Sequence, residues 1–314
     1  MPMMIATRDA YGKTLAELGK TNPNIVVLDA DLSASTKTIN FAKLFPERFF
    51  DMGIAEQDMI GTAAGLAASG KIAFASTFAV FGSGRAWDQI RMTAAYTRLN
   101  VKVVVTHAGI TVGEDGASHQ ANEDIAIMRA LPNMTVIVPA DSIETEKTII
   151  AAAEFYGPMY IRLGRSKVPV INDKPGYEFK IGKGNIIQDG KEATVIACGL
   201  MVSAALDAAD KLKGEGINIR VVNMHTIKPI DKDLIIRCAA ETGAIVTAEE
   251  HSIIGGLGGA VTEIVVENKP VPMARIGMRD VFGESGKPEE LLVKYGLTAE
   301  EIAKAVKAVI KKKK

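Results

Sequence analysis

The side chains able to do chemistry concentrate in the first half of the chain. Glu56 follows a strand-like run and opens a helix that is small or apolar almost throughout residues 57–70. Such a helix packs closely on all sides, so a carboxylate in its first turn lies beside an apolar interface, where an acid can protonate a bound ligand. A first-turn Glu also complements a helix dipole, which is the competing structural role. Phe78 and Phe81 stand three residues apart after a strand and can wall a site for a flat ring, or equally belong to the core. Residues 106–120 form a glycine-rich polar loop between a strand and a helix, carrying His107, Glu114, Asp115 and His119. Loops in this position add little burial and serve to place side chains. Paired histidines flanked by acids suit general acid–base work.

Alternating elements must position these groups. Short apolar runs at 24–29, 71–76, 101–107, 134–139 and 158–163 read as buried parallel strands, and helical patterns at 9–18, 57–68, 85–97 and 142–155 separate most of them. This alternation predicts a doubly wound α/β sheet, which binds ligands beyond the carboxyl ends of its strands. The pattern stops between 165 and 190, where prolines and turn residues cluster. The expected organisation is a first domain over 1–168, a linker over 169–190 and a second doubly wound domain over 191–314. In the latter, strands are expected at 193–198, 219–223 and 244–249. Helices are expected to start near 201, 231, 258, 287 and 299. There is no internal repeat, heptad or low-complexity tract.

The 314 residues hold 37 Lys plus Arg against 37 Asp plus Glu, so no global field favours nucleic acid or an anionic membrane. No apolar stretch is long and uncharged enough to span a bilayer. The residues from Met1 to Asp9 lack the basic and apolar regions of a secretory signal, so a cytoplasmic enzyme or enzyme subunit is expected. The lysines at 311–314 read as a solvated helix end. Cys198 and Cys238 are isolated in apolar contexts and read as buried thiols, and the four histidines have no metal-ligand spacing. No metal site is therefore expected on this chain.

The motifs Met52-Gly-Ile-Ala-Glu-Gln, Ser76-Thr-Phe-Ala-Val-Phe, Gly113-Glu-Asp-Gly-Ala-Ser-His-Gln and Phe282-Gly-Glu-Ser-Gly together resemble the transketolases. The resemblance covers the pyrimidine-binding and C-terminal domains of that family, which here take up nearly the whole chain. A full-length member is longer and begins with a diphosphate-binding domain. Its Gly-Asp-Gly and later Asn hold Mg²⁺ and the phosphates of thiamine diphosphate, and no Gly-Asp-Gly occurs here. The resemblance therefore implies the C-terminal subunit of a split transketolase. An N-terminal diphosphate-binding partner would complete each site and supply the Mg²⁺ ligands, with self-association to a dimer or heterotetramer.

Roles carry over position by position. The resemblance implies that Glu56 bonds the aminopyrimidine ring nitrogen of thiamine diphosphate and promotes loss of the thiazolium C2 proton. A two-carbon ketol unit then passes from a ketose phosphate to an aldose phosphate. Phe81 matches the stacking aromatic, Phe78 the pocket lining, Asp31 an acid on the cofactor side and His119 the histidine beside the donor carbonyl. Asp115 matches the acid that contacts a sugar hydroxyl. Arg8, Ser35, His107 and Arg165 match the group that binds the substrate phosphate. Arginine suits that task because its planar fork donates two parallel hydrogen bonds. By themselves Arg8 and Arg165 read as surface residues, and Arg162 competes with Arg165 for the role; register favours Arg165.

Some residues depart from the family pattern. An aromatic expected near position 84 is missing, and Arg85-Ala-Trp-Asp-Gln is closer to 1-deoxyxylulose-5-phosphate synthase and to the β subunits of 2-oxoacid dehydrogenases. Trp87 either replaces that aromatic or is core. The segment 223–231 leans the same way, and its His225 reads as structural. Gly255-Gly-Leu-Gly-Gly lacks the spacing and downstream acid of a dinucleotide site, and suits close helix packing instead. Three readings stand: a split-transketolase subunit, one of those other thiamine enzymes, or a noncatalytic module that kept the fold. Glu56, His119 and the aromatic wall favour catalysis, and the phosphate-binding set with Glu114-Asp-Gly favours the first.

Overall fold

The computed structural model describes residues 3–313, so Met1, Pro2 and the last lysine of the terminal run lie outside it. A seven-stranded sheet builds the first half. Its order is Thr226–Lys228, Thr135–Ile137, Met159–Arg162, Val101–Thr106, Ile72–Phe78, Ile25–Asp29 and Phe49–Asp51. All neighbours pair in parallel except Thr226–Lys228, which joins antiparallel from the second half of the chain. A five-stranded sheet builds the second half, in the order Met273–Met278, Ile245–Ser252, Thr194–Ala197, Arg220–Asn223 and Asn185–Gln188, with only the last pairing antiparallel. The expected pair of doubly wound α/β units is what forms.

Strand residues alternate between two buried faces, as a sheet covered on both sides requires. Val101, Val103 and Val105 face one core with Met59, Ile60 and Ala63 of the helix Glu56–Ala68. Val104 turns to the other, with Tyr11 and Leu15 of the helix Thr7–Thr21 and Ile149 of the helix Ser142–Glu154. The first of these cores does not stop at the sheet. It runs on through Met128 and Val138 to Ile196, Leu234 and Val261 of the second half, so one apolar body joins the two units. Cys198 and Cys238 are buried free thiols, as expected.

Several elements escape the sequence pattern. Met4–Ala6 and Lys167–Pro169 form a two-stranded antiparallel ribbon, and Phe49–Asp51, Asn185–Gln188 and Met273–Met278 are edge strands. The helix expected over 85–97 is broken into a π-helical turn Phe81–Arg85, a short α-helical turn Trp87–Gln89 and a second π-helical stretch Ile90–Ala95. The Ser83 hydroxyl donates to Ala79 O and that of Thr93 to Gln89 O, both at 2.6 Å, so side chains compete for the carbonyls of the normal helical ladder. Such π segments recur at functional sites. No helix of the described residues is long and apolar enough to cross a membrane.

Candidate active site

Strand ends of the first sheet bring Glu56, Phe78, Phe81, His107 and His119 near one another. Glu56 is the first residue of its helix and is only 4% exposed. Its Oε1 accepts a hydrogen bond from Arg85 Nη1 at 2.9 Å. The same guanidinium lies over the Phe81 ring, 4.1 Å from its centroid. Phe81 and Phe78 are nearly parallel with centroids 6.0 Å apart, and Phe78 stacks on the His107 ring at 3.8 Å. His119 meets the Phe81 ring edge to face at 5.3 Å, and its Nδ1 lies 2.9 Å from Ser118 Oγ. The Arg85 guanidinium thus bridges the Glu56 carboxylate to a cluster of two aromatic rings and two imidazoles, Phe81, Phe78, His107 and His119.

His107 marks a bend in the loop, with a left-handed φ of 56°. Its Nε2 lies 3.2 Å from Arg8 Nη1, which can only donate, so Nε2 accepts and Nδ1 carries the hydrogen toward Thr106 Oγ1 at 2.8 Å. Burial, reinforced by the charges of Arg8, Arg165 and Lys37, pulls this imidazole down to about 3. It is a neutral acceptor through ordinary pH. Because the folded state binds this proton more weakly than the unfolded chain, the stability it contributes is complete above about pH 6.5 and is lost as pH falls toward 3. A His107→Asn variant is therefore expected to lose less stability than the parent between pH 7 and pH 5 in urea titrations; equal losses would count against a buried neutral imidazole.

Two arginines converge beside it. Arg8 also donates from Nη1 to Ser35 O at 3.0 Å, while its Nε is buried without a protein partner. Arg165 donates to Val112 O and sits 3.6 Å from Glu114 and 3.8 Å from Asp115. Burial lowers the Arg8 pKa, the charge of Asp9 opposes this, and the charge of Arg165 lowers it further. A half-buried guanidinium with a spare N–H and a like charge nearby is a site that an anion would relieve. Arg162 is not in it. Its Nε donates to Asp124 Oδ2 at 2.8 Å in a fully buried pair, and Nη2 donates to Ala121 O and Glu250 O.

Asp31 is exposed in a left-handed turn with φ 60° and donates its backbone N–H to Asp51 Oδ1 at 3.1 Å. Among the described residues no hydrogen bond or ring contact joins it to the central cluster. Its turn is fixed by Asp29, a residue the sequence pattern marks only as the acid ending a strand. Asp29 is buried and accepts from the Thr36 and Thr38 hydroxyls at 2.7 and 2.8 Å and from Leu32 N–H at 2.7 Å. Burial raises its pKa to about 6 against the pull of those bonds.

Trp87 lies outside the aromatic cluster, donates to Ile127 O at 3.3 Å and packs on the core. His225 is buried against Phe179, and burial lowers it to about 4. The glycine run at 255–259 opens the helix Leu257–Asn268, whose first amides, Leu257 and Gly258, are both capped by the Glu249 carboxylate. A Cβ at Gly256 would lie 2.1 Å from Glu249 Oε2, so glycine there admits the cap, which occupies the place an anionic ligand would take. Arg85 is the neighbour of Glu56 and Phe81 that the sequence does not single out. Among the described residues no group of three or more His, Cys, Asp or Glu side chains is placed to hold a metal ion.

The chain is similar to known proteins over almost its whole length. Residues 3–170 match the family model "Transketolase, pyrimidine binding domain" and residues 182–302 match "Transketolase, C-terminal domain". A Methanocaldococcus jannaschii chain provisionally named a transketolase C-terminal section is 56% identical over 307 residues, spanning 97% of this chain and 96% of its own length. A Clostridium 6-deoxy-6-sulfo-D-fructose transketolase subunit is 45% identical, over 98% of this chain and 95% of the relative. The solved structure of a split-gene transketolase, described as an inactive β4 tetramer, superposes with a TM-score of 0.92 at 56% identity, covering 99% of this chain and all of that one.

Proposed function

The chain belongs to the transketolase family, as the C-terminal subunit of a split transketolase, and from that premise we propose that it transfers a two-carbon ketol unit from a ketose phosphate to an aldose phosphate. It does so with thiamine diphosphate and a diphosphate-binding N-terminal subunit that brings the Mg²⁺ ligands. The observation that carries this reading is the chain of contacts from the Glu56 carboxylate through Arg85 to Phe81 and Phe78 and on to His107 and Arg8.

That cluster fits the pyrimidine half of the cofactor. Phe81 offers a ring face for stacking, Phe78 lines the pocket and Glu56 offers a carboxyl oxygen for the ring nitrogen. Arg85 covers the same ring face and holds the same carboxylate, so a flat ring docking there must displace it. The guanidinium is half exposed and can swing into solvent. Bound thiamine diphosphate supplies the carbon nucleophile of the transfer. His119, edge-on to Phe81, is placed to bond or move a proton at the donor oxygen. Neutral His107 accepts from Arg8 and keeps its guanidinium aimed into the site. Arg8 and Arg165, with Ser35 beside them, bind the sugar phosphate, and Asp115 takes a sugar hydroxyl. Asp31 lies at the outer rim of the cofactor side.

Mixing this chain with a diphosphate-binding transketolase subunit, thiamine diphosphate and Mg²⁺ is expected to give turnover of xylulose 5-phosphate with ribose 5-phosphate. Either chain alone should give none. Decarboxylation of a 2-oxoacid without ketol transfer would overturn the proposal in favour of a dehydrogenase-like relative. Tight Mg²⁺-dependent cofactor binding by this chain alone would refute the split site.

A further inference from the structure

The loop from 107 to 121 carries His107, Asp115 and His119, yet its backbone is held largely from the second half of the chain. Glu250, in the strand Ile245–Ser252, is 5% exposed, and its Oε1 accepts the Thr111 N–H at 2.7 Å. The loop comes so near that a Cβ at Gly109 would lie 2.2 Å from the Glu250 carboxyl carbon; Gly109 also needs a left-handed φ of 76°. At the far end, Arg162 Nη2 spans from Ala121 O at 3.1 Å to the backbone oxygen of Glu250 at 2.9 Å. The middle is tied by Gln120 Nε2 donating to Glu284 O at 2.9 Å and by Ser285 Oγ donating to Glu114 O at 2.6 Å.

We infer that Glu250 is a positioning residue for substrate: through the Thr111 N–H it sets the loop that presents Asp115 and His119, and it places Val112 O where Arg165 is anchored. The second half of the chain adds no ring or carboxylate to the central cluster, yet by this contact it governs how the sugar phosphate is held. Thr111 and Val112 are consecutive, so a shift at the first displaces the anchor of the phosphate-binding arginine directly. The cofactor surface of Glu56, Phe78 and Phe81 lies on other elements and meets the loop through the His107 and His119 rings. A carboxylate at this point also costs more than a hydrocarbon would, since burial raises its pKa to about 7. Retaining an acceptor there is accounted for by the amide it holds.

The kinetic part of the test rests on the ketol-transfer reading; the exchange part does not. In the two-subunit holoenzyme, Glu250→Ala is expected to raise KM for the ketose phosphate about tenfold or more, since small misplacements of binding groups carry large penalties. Thiamine diphosphate affinity should change less than this KM, since Glu56, Phe78 and Phe81 lie on other elements, and hydrogen exchange at amides 109–120 should quicken selectively. Glu250→Gln keeps an acceptor oxygen for the Thr111 N–H, so it should restore both KM and loop protection. The inference is overturned if Glu250→Ala leaves amides 109–120 protected, if exchange quickens evenly across the second half with KM unmoved, or if the glutamine variant is as impaired as the alanine. Should the parent show no ketol transfer at all, the exchange comparison still decides the positioning role.

Discussion

Glu56→Gln is expected to lower ketol transfer by about 10²–10⁴-fold, the range supplied by one positioned proton-transfer group. Glutamine matches glutamate in size, keeps an oxygen for Arg85 Nη1 and leaves the helix start intact, so thermal unfolding should shift little. What it removes is the group that can exchange a proton with the pyrimidine ring nitrogen. The direct measurement is the rate of thiazolium C2 proton exchange in the holoenzyme, followed by NMR with the partner subunit present. Near-normal exchange in the variant would sink the role assigned to Glu56, whatever happened to overall turnover.

The second large effect is on folding. Asp124→Asn should destabilise the chain by about 3–5 kcal/mol, the usual cost of removing one member of a buried ion pair and leaving the other charged. Asp124 Oδ2 accepts both Arg162 Nε at 2.8 Å and the Tyr160 hydroxyl at 2.7 Å, and both residues of the pair are buried. Asparagine keeps the shape and one acceptor but strands the guanidinium. Urea denaturation at neutral pH reads the difference; a loss below about 1 kcal/mol would mean that the carbonyls of Ala121 and Glu250 suffice to hold Arg162.

The central strands and long helices were legible because their apolar runs are continuous and bounded by turn residues. The helices Glu56–Ala68 and Ser142–Glu154 lie within a residue of their expected bounds. Edge strands such as Met273–Met278 were not, because a half-exposed strand carrying Arg275 and Gly277 shows no clean period. Within the site, Glu56, Phe78, Phe81 and the two histidines could be read because each stands in a motif at a strand end. Arg85, Asp29 and Glu250 could not. Arg85 reaches back across a π-helical turn that no pattern of residues announces, Asp29 acts by turning its carboxylate onto hydroxyls of the loop that follows it, and Glu250 holds an amide in the other half of the chain. Arg162 and Arg165 differ likewise in depth, which the sequence does not display, since one lies in a strand core and the other just beyond its end.

A chain cut within residues 169–190 would not yield two free-standing parts. The first would lose Thr226–Lys228 and leave Thr135–Ile137 as an unpaired sheet margin, open to pairing with other molecules. It would also lose the Lys228 ammonium that caps Arg129 O at 2.9 Å. A recombinant that exchanges the second half must therefore bring a three-residue strand whose register suits a sheet it does not otherwise belong to.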